Sequence, residues 1–117
     1  MKTIVSITHK NPLLENIQNL DAVKTDEYAG FVYMWRCIPE DKFYIGSHKG
    51  KVTDDYRGSG KLFKQIFEHY GITQFERIIL EYVADEDVLK VREQFWMTKF
   101  NAVVSKRFLN SKNAKRT

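Results

Sequence analysis

A single cysteine, Cys37, occurs in the 117 residues. It excludes an internal disulfide framework and makes a reducing, intracellular (cytoplasmic) compartment the expectation. Two prolines and six glycines rule out a collagen-like or Pro/Gly-rich low-complexity chain. No apolar run approaches the roughly 20 residues of a membrane-spanning helix, so no membrane partner is expected. The stretch MKTIVSITHKNPLLENIQ turns polar after Ile7 and does not read as a signal peptide. Acidic residues are missing altogether after Glu93.

That last absence shapes the charge distribution. Residues 94–117 hold six of the 19 basic residues (Lys99, Lys106, Arg107, Lys112, Lys115 and Arg116), while all 15 acidic residues lie before them. A cationic end on a near-neutral body is an electrostatic handle for a polyanion, nucleic acid being the commonest. The plain alternative is a solvated terminus that aids solubility. Hydrophobic residues at 43% and aromatics at 14% point to one packed domain, and the length allows one core.

Residues 1–29 read as an N-terminal extension and residues 30–117 as the domain proper. In the extension, residues 3–7 fit a short strand and residues 11–20 a short helix, with Asn11 as N-cap and Pro12 at the first helical position. A polar connector follows. Residues 31–37 and 42–46 then flank the turn residues IPED and predict a β-hairpin. If Cys37 pairs with Lys42, Tyr33 falls opposite Gly46 and Trp35 opposite Tyr44, which sets both tyrosines on one sheet face.

SHKGKVTDDYRGSG is a glycine-rich polar loop. Ser59 is placed to cap a helix over residues 60–70 that Gly71 ends, with Leu62, Phe63, Ile66, Phe67 and Tyr70 on its apolar face. QFERIILEYV predicts a third strand. Asp85 then caps a second helix, EDVLKVREQFWMTKF. The order strand, strand, helix, strand, helix defines a small α/β (α+β) domain.

One residue breaks the pattern of the second helix. With Leu89 at 0° and about 100° per residue, Glu93 falls at about 40°, between Phe100 at about 20° and Met97 at about 80°. A carboxylate inside an apolar stripe needs a cation, a metal or a hydrogen-bond network beside it. An ion pair with Arg77 or Arg92 is the structural alternative. A carboxylate also suits Mg²⁺, which prefers oxygen ligands. Tyr33 and Tyr44 read as strand aromatics on their own. Joined to Glu93 and a basic surface, they point to hydrolysis of an anionic ester, since a phenol can take up or give a proton.

From Gly30 to about Asn110 the sequence resembles the GIY-YIG nuclease domain, especially its phage homing-endonuclease-like (Seg-like) members. GFVY is similar to the first signature phrase with one extra residue, and FYIGS matches the second. HYGITQFERIILEYV, REQFW and RFLN resemble the family's helix end and third strand, its glutamate-bearing helix and its terminal asparagine phrase. The resemblance implies a three-stranded antiparallel sheet flanked by helices, and a metal-dependent DNA endonuclease using one Mg²⁺ or Mn²⁺. It assigns Tyr33 and Tyr44 to the signature tyrosines, one of which activates water. Gly46 becomes the glycine beside the second tyrosine, Glu93 the sole metal-holding carboxylate, and Asn110 the asparagine that supports the site or contacts phosphate.

The family's arginine-bearing helix after the second phrase is replaced here by the polar loop. Arg57 is the first candidate for the missing cation, Lys49 and Lys61 its substitutes, and His48 the candidate proton shuttle or phosphate contact, with an ordinary loop histidine as the alternative. Lys106, Arg107, Lys112, Lys115 and Arg116 would hold DNA through its phosphates. A non-catalytic nucleic-acid-binding module with a degenerate site is the alternative function, and a protein-interaction domain built on residues 1–29 a third reading. A homodimer or a protein partner is open: a monomer with one site would nick first, whereas a dimer could cut both strands. A phage origin would place the protein in the host cell's cytoplasm.

Overall fold

Eight consecutive buried residues, Gly30–Cys37, form strand β1. Burial on both faces is what a central strand needs, and β1 lies between Lys42–Lys49 (β2) and Phe75–Val83 (β3) in an antiparallel sheet of order β2-β1-β3. The computed structural model describes residues 19–20 and 27–110. The strand expected at 3–7 and most of the helix expected at 11–20 lie outside these residues, as do Lys112, Lys115 and Arg116.

The hairpin has the predicted register. Cys37 faces Lys42, Trp35 faces Tyr44 and Tyr33 faces Gly46. The turn closes at Asp41, whose N–H donates to the Ile38 carbonyl at 3.2 Å from a left-handed φ of 52°. Aspartate tolerates that conformation better than most non-glycine residues.

Helix α1 is Lys61–Tyr70. It covers the sheet face that carries Phe31, Tyr33, Trp35 and Tyr44, and its Phe63 stacks on Tyr44 at 4.4 Å and 13°. Burying one such phenylalanine contributes about 1.5–3 kcal/mol. Two expectations for this helix are corrected. Gly60, not Ser59, is the N-cap, and no side chain caps it, because the Gly60 N–H is turned onto the Tyr44 hydroxyl instead. Leu62 is exposed, since Phe63, Ile66, Phe67 and Tyr70 already fill the contact with the sheet. Gly71 ends the helix as predicted, with its N–H on the Phe67 carbonyl and φ 86°.

Helix α2, Leu89–Phe100, covers the other face. Leu89, Met97 and Phe100 pack there with Val32, Met34, Phe43 and Ile45. The Asp85 carboxylate caps the chain just before it, accepting the Asp87 N–H at 2.9 Å at the head of the 3₁₀ turn Glu86–Val88.

The outer edge of β2 is paired, which closes part of the open hydrogen-bonding row that invites aggregation, and β3 is contacted on its outer side. Along β2, the Phe43 N–H donates to the Arg107 carbonyl at 2.8 Å and the Leu109 N–H to the Phe43 carbonyl at 2.6 Å. Along β3, Asn19 Oδ1 accepts the Ile79 N–H at 2.8 Å and the Leu20 carbonyl accepts the Tyr82 hydroxyl at 3.0 Å. Asn19 and Leu20 are thus docked on β3.

Candidate active site

Strand β2 organises the site because its residues alternate between the two faces. Tyr44 and Gly46 point toward α1, whereas Ser47 points toward α2. The Tyr33 ring reaches across from β1 over Gly46. A Cβ at position 46 would collide with the Tyr33 hydroxyl and lie 2.6 Å from its Cζ. Glycine is therefore required there by close approach of a ring.

Tyr33 is 2% exposed and Tyr44 8%. Burial holds the Tyr33 phenol well above its ordinary pKa, with the neighbouring phenols of Tyr44 and Tyr56 and the Glu93 charge acting in the same direction. Burial raises Tyr44 too, but a backbone N–H opposes it. The Gly60 N–H, at the N-terminus of α1, donates to the Tyr44 oxygen at 3.0 Å, a contact that favours the phenolate.

Glu93 lies in the buried stripe of α2 formed with Leu89, Met97 and Phe100, as its helical angle predicts. Its carboxylate is tied to β2. Ser47 Oγ donates to Glu93 Oε1, and Lys90 Nζ lies 3.1 Å from the same oxygen. The expected arginine partners are corrected. Arg92 instead binds both carboxylate oxygens of Glu81 at 2.9 Å, and Arg77 donates to the Val52 carbonyl. Both belong to the β3 side, while Glu93 faces β2. Among the described residues, Glu93 Oε2 has no hydrogen-bond or ion-pair partner. The Glu93 charge nonetheless bears on both phenols, because Tyr33 sits over Gly46 and Glu93 is bonded to the next residue.

Asn110 is 8% exposed and serves as a support. Its Oδ1 accepts the Ile45 N–H at 2.9 Å and its Nδ2 donates to the Ile45 carbonyl at 2.8 Å. The side chain thereby extends the β2 edge pairing beside Gly46 and Ser47. Both amide groups are committed to the backbone.

The remaining candidates are more dispersed. His48 Nε2 lies 2.9 Å from Asp54 Oδ2, and its ring stacks on Tyr56 at 4.3 Å. The Arg57 guanidinium lies over the Phe67 ring and 3.3 Å from Asp55, half-exposed, while its carbonyl accepts the Trp35 indole N–H. Lys49 pairs with Glu86 at 3.1 Å, and Lys61 and Lys106 are exposed. Arg107 pairs with Asp41 at 2.7 Å over the Phe43 ring.

Three site residues escape a sequence reading. Ser47 carries a signal in retrospect, since alternation along FYIGS aims it at the helix that bears Glu93. Lys90 stands three residues before Glu93, a helical neighbour. Tyr56 sits in an irregular loop and carries no periodic signal.

No protein-family model matches the chain. Its sequence is 39% identical over 71 residues to the protein named "Putative endonuclease segB" of Enterobacteria phage T4. The match takes in 60% of this chain and 29% of that protein, so the chain spans less than a third of its relative's length. Its structure is similar to the catalytic domain of intron endonuclease I-TevI, solved as a mutant, with a TM-score of 0.56 at 22% identity over 75% of this chain and 98% of that domain. The chain thus has the fold of that catalytic domain, as its two tyrosine phrases led us to expect: among the described residues, an α+β arrangement of one antiparallel sheet and two helices.

Proposed function

We propose that the chain is a DNA endonuclease that hydrolyses phosphodiester bonds, with Tyr33, Tyr44 and Glu93 at its centre. Its similarity in sequence to a phage protein named a putative endonuclease, and in fold to the catalytic domain of an intron endonuclease, supports this reading. The observation that carries it is Glu93, a carboxylate buried in an apolar stripe and paired, among the described residues, through one oxygen. Buried polar atoms are as a rule satisfied, so the second oxygen is the place for a ligand.

The donor set fits a hard divalent cation. Glu93 offers one carboxylate oxygen, and among the described residues no group of three or more His, Cys, Asp or Glu side chains gathers to make a closed site. One carboxylate suits Mg²⁺ or Mn²⁺, which is commonly held by one or two protein groups and keeps several waters. Bound there, the cation would supply charge that stabilises the phosphate oxygens as they gain electron density.

The chain's own residues supply the rest. One of the two phenols takes the proton of the attacking water, and only one ionises at a time because each raises the cost of charging the other. The Ser47 hydroxyl fixes the Glu93 carboxylate, and Asn110 fixes the strand that carries Tyr44 to Ser47. Arg57 is the cation proposed for the scissile phosphate. Its surface pair with Asp55 is of a kind worth at most about 1 kcal/mol, little enough to be exchanged for a phosphate. Lys49, Lys61, Lys106, Arg107 and the terminal Lys112, Lys115 and Arg116 hold the DNA backbone, and His48, stacked on Tyr56, is a candidate phosphate contact.

The position of Arg57 on Phe67, rather than against the phenols, favours a second reading, a DNA-binding module without turnover. Incubating supercoiled plasmid with Mg²⁺ or Mn²⁺, against EDTA, decides between them. Metal-dependent conversion to nicked or linear DNA is expected. Salt-sensitive binding with no conversion would favour the module instead.

A further inference from the structure

The loop between β2 and α1 contains an assembly that the proposed chemistry leaves unexplained. The Asp54 carboxylate accepts the Lys51 N–H at 3.0 Å and lies 2.9 Å from His48 Nε2. Both groups meet over Gly50, whose φ is 145°. A side chain at position 50 would collide with Asp54 Oδ2 and come within 2.8 Å of His48 Nε2. Glycine is therefore needed for the backbone conformation and for the pair above it.

The imidazole fixed in this way touches two rings. It stacks on Tyr56 at 4.3 Å and 14°, and meets Phe31 edge-on at 5.7 Å. Tyr56 in turn packs edge-on against Tyr33, with centroids 6.4 Å apart at 70°. A continuous column thus runs from the exposed Asp54 to the buried Tyr33. Filling space at this point would take one apolar side chain. A histidine held by a carboxylate and stacked on a phenol fixes orientation as well.

We propose that Tyr56 is a positioning residue of the site, holding the Tyr33 phenol in its working orientation, and that the Asp54–His48 pair holds Tyr56 in turn. The column stands on geometry, and the proposal rests on the nuclease reading only for what Tyr33 is positioned to do.

Tyr56→Leu removes both ring contacts and keeps an apolar side chain in the loop. For this variant kcat is expected to fall about tenfold, the scale of one lost aromatic pair, while KM and DNA affinity stay at wild-type values. In tyrosine-labelled protein the Tyr33 Cζ resonance is expected to shift. Asp54→Asn is expected to move kcat and the same resonance in the same directions by less. An unchanged kcat and an unmoved resonance in Tyr56→Leu would overturn the proposal. So would a loss of kcat matched by a rise in KM and a drop in melting temperature, which marks ordinary packing. A wild type that cuts no DNA would refute the nuclease reading separately, and the Tyr33 resonance would still decide whether Tyr56 positions it.

Discussion

The Tyr33 hydroxyl lies over Gly46 in the space where a side chain at that position would begin. One residue on, Ser47 is bonded to Glu93 from the other side of the sheet. Two consecutive residues of an edge strand thus bring a phenol and a carboxylate of opposite faces to one place.

Gly46→Ala should destabilise the fold by about 1–3 kcal/mol, because its methyl group meets a ring with no room to retreat. Combined with Tyr33→Phe, which removes the nearest atom, it should cost less than the sum of the two single changes. Urea unfolding of the three variants checks this, and strict additivity would contradict it.

Asn110→Ala should leave the Ile45 N–H and carbonyl without their partner and cost about 1–3 kcal/mol. Hydrogen exchange should quicken at the Ile45 amide while the β1–β3 amides keep their protection. The same protection factor at Ile45 in both proteins would show that Asn110 does not support the edge.

Alkaline stability should depend on Tyr33. Its folded pKa is raised by burial, so above the unfolded value of about 10 the unfolded chain has released a proton that the folded chain keeps. Stability therefore holds below that pH and declines as pH rises beyond it. Thermal melts at increasing pH should show a steeper alkaline decline for wild type than for Tyr33→Phe, lysine titration being common to both. Parallel curves would count against the assignment.

Arg57→Ala should slow cleavage by about 10²-fold, the scale of losing one charge-stabilising donor, with Arg57→Lys recovering part of the loss. Neither change should move the melting temperature appreciably, since the Asp55 pair is exposed. Undiminished cleavage by Arg57→Ala would transfer the role to Lys49 or Lys61.

Much of this architecture is legible in the sequence because it follows from period. Alternation along GFVYMWRC and KFYIGSHK, with a four-residue turn between, determines the Tyr33–Gly46 pairing. Helical spacing likewise places Glu93 in the buried stripe of α2. What stays hidden has no period. The partner of Glu93 depends on how α2 packs over β2, so Arg77 and Arg92 are plausible on spacing and are engaged elsewhere. The Tyr56–His48 stack depends on the path of an irregular loop. The Gly60 N–H serves Tyr44 rather than leaving the cap to Ser59, a tertiary contact that overrides a local preference.

Plasmid cleavage by wild type and Glu93→Gln, side by side in Mg²⁺ with matched thermal melts, tests the central claim most directly. The glutamine keeps the shape and can still accept from Ser47, but it carries no charge for a cation. The account predicts metal-dependent nicking or linearisation by wild type, and a loss of at least about 10²-fold in a variant that remains folded. Equal cleavage by the two proteins would contradict it.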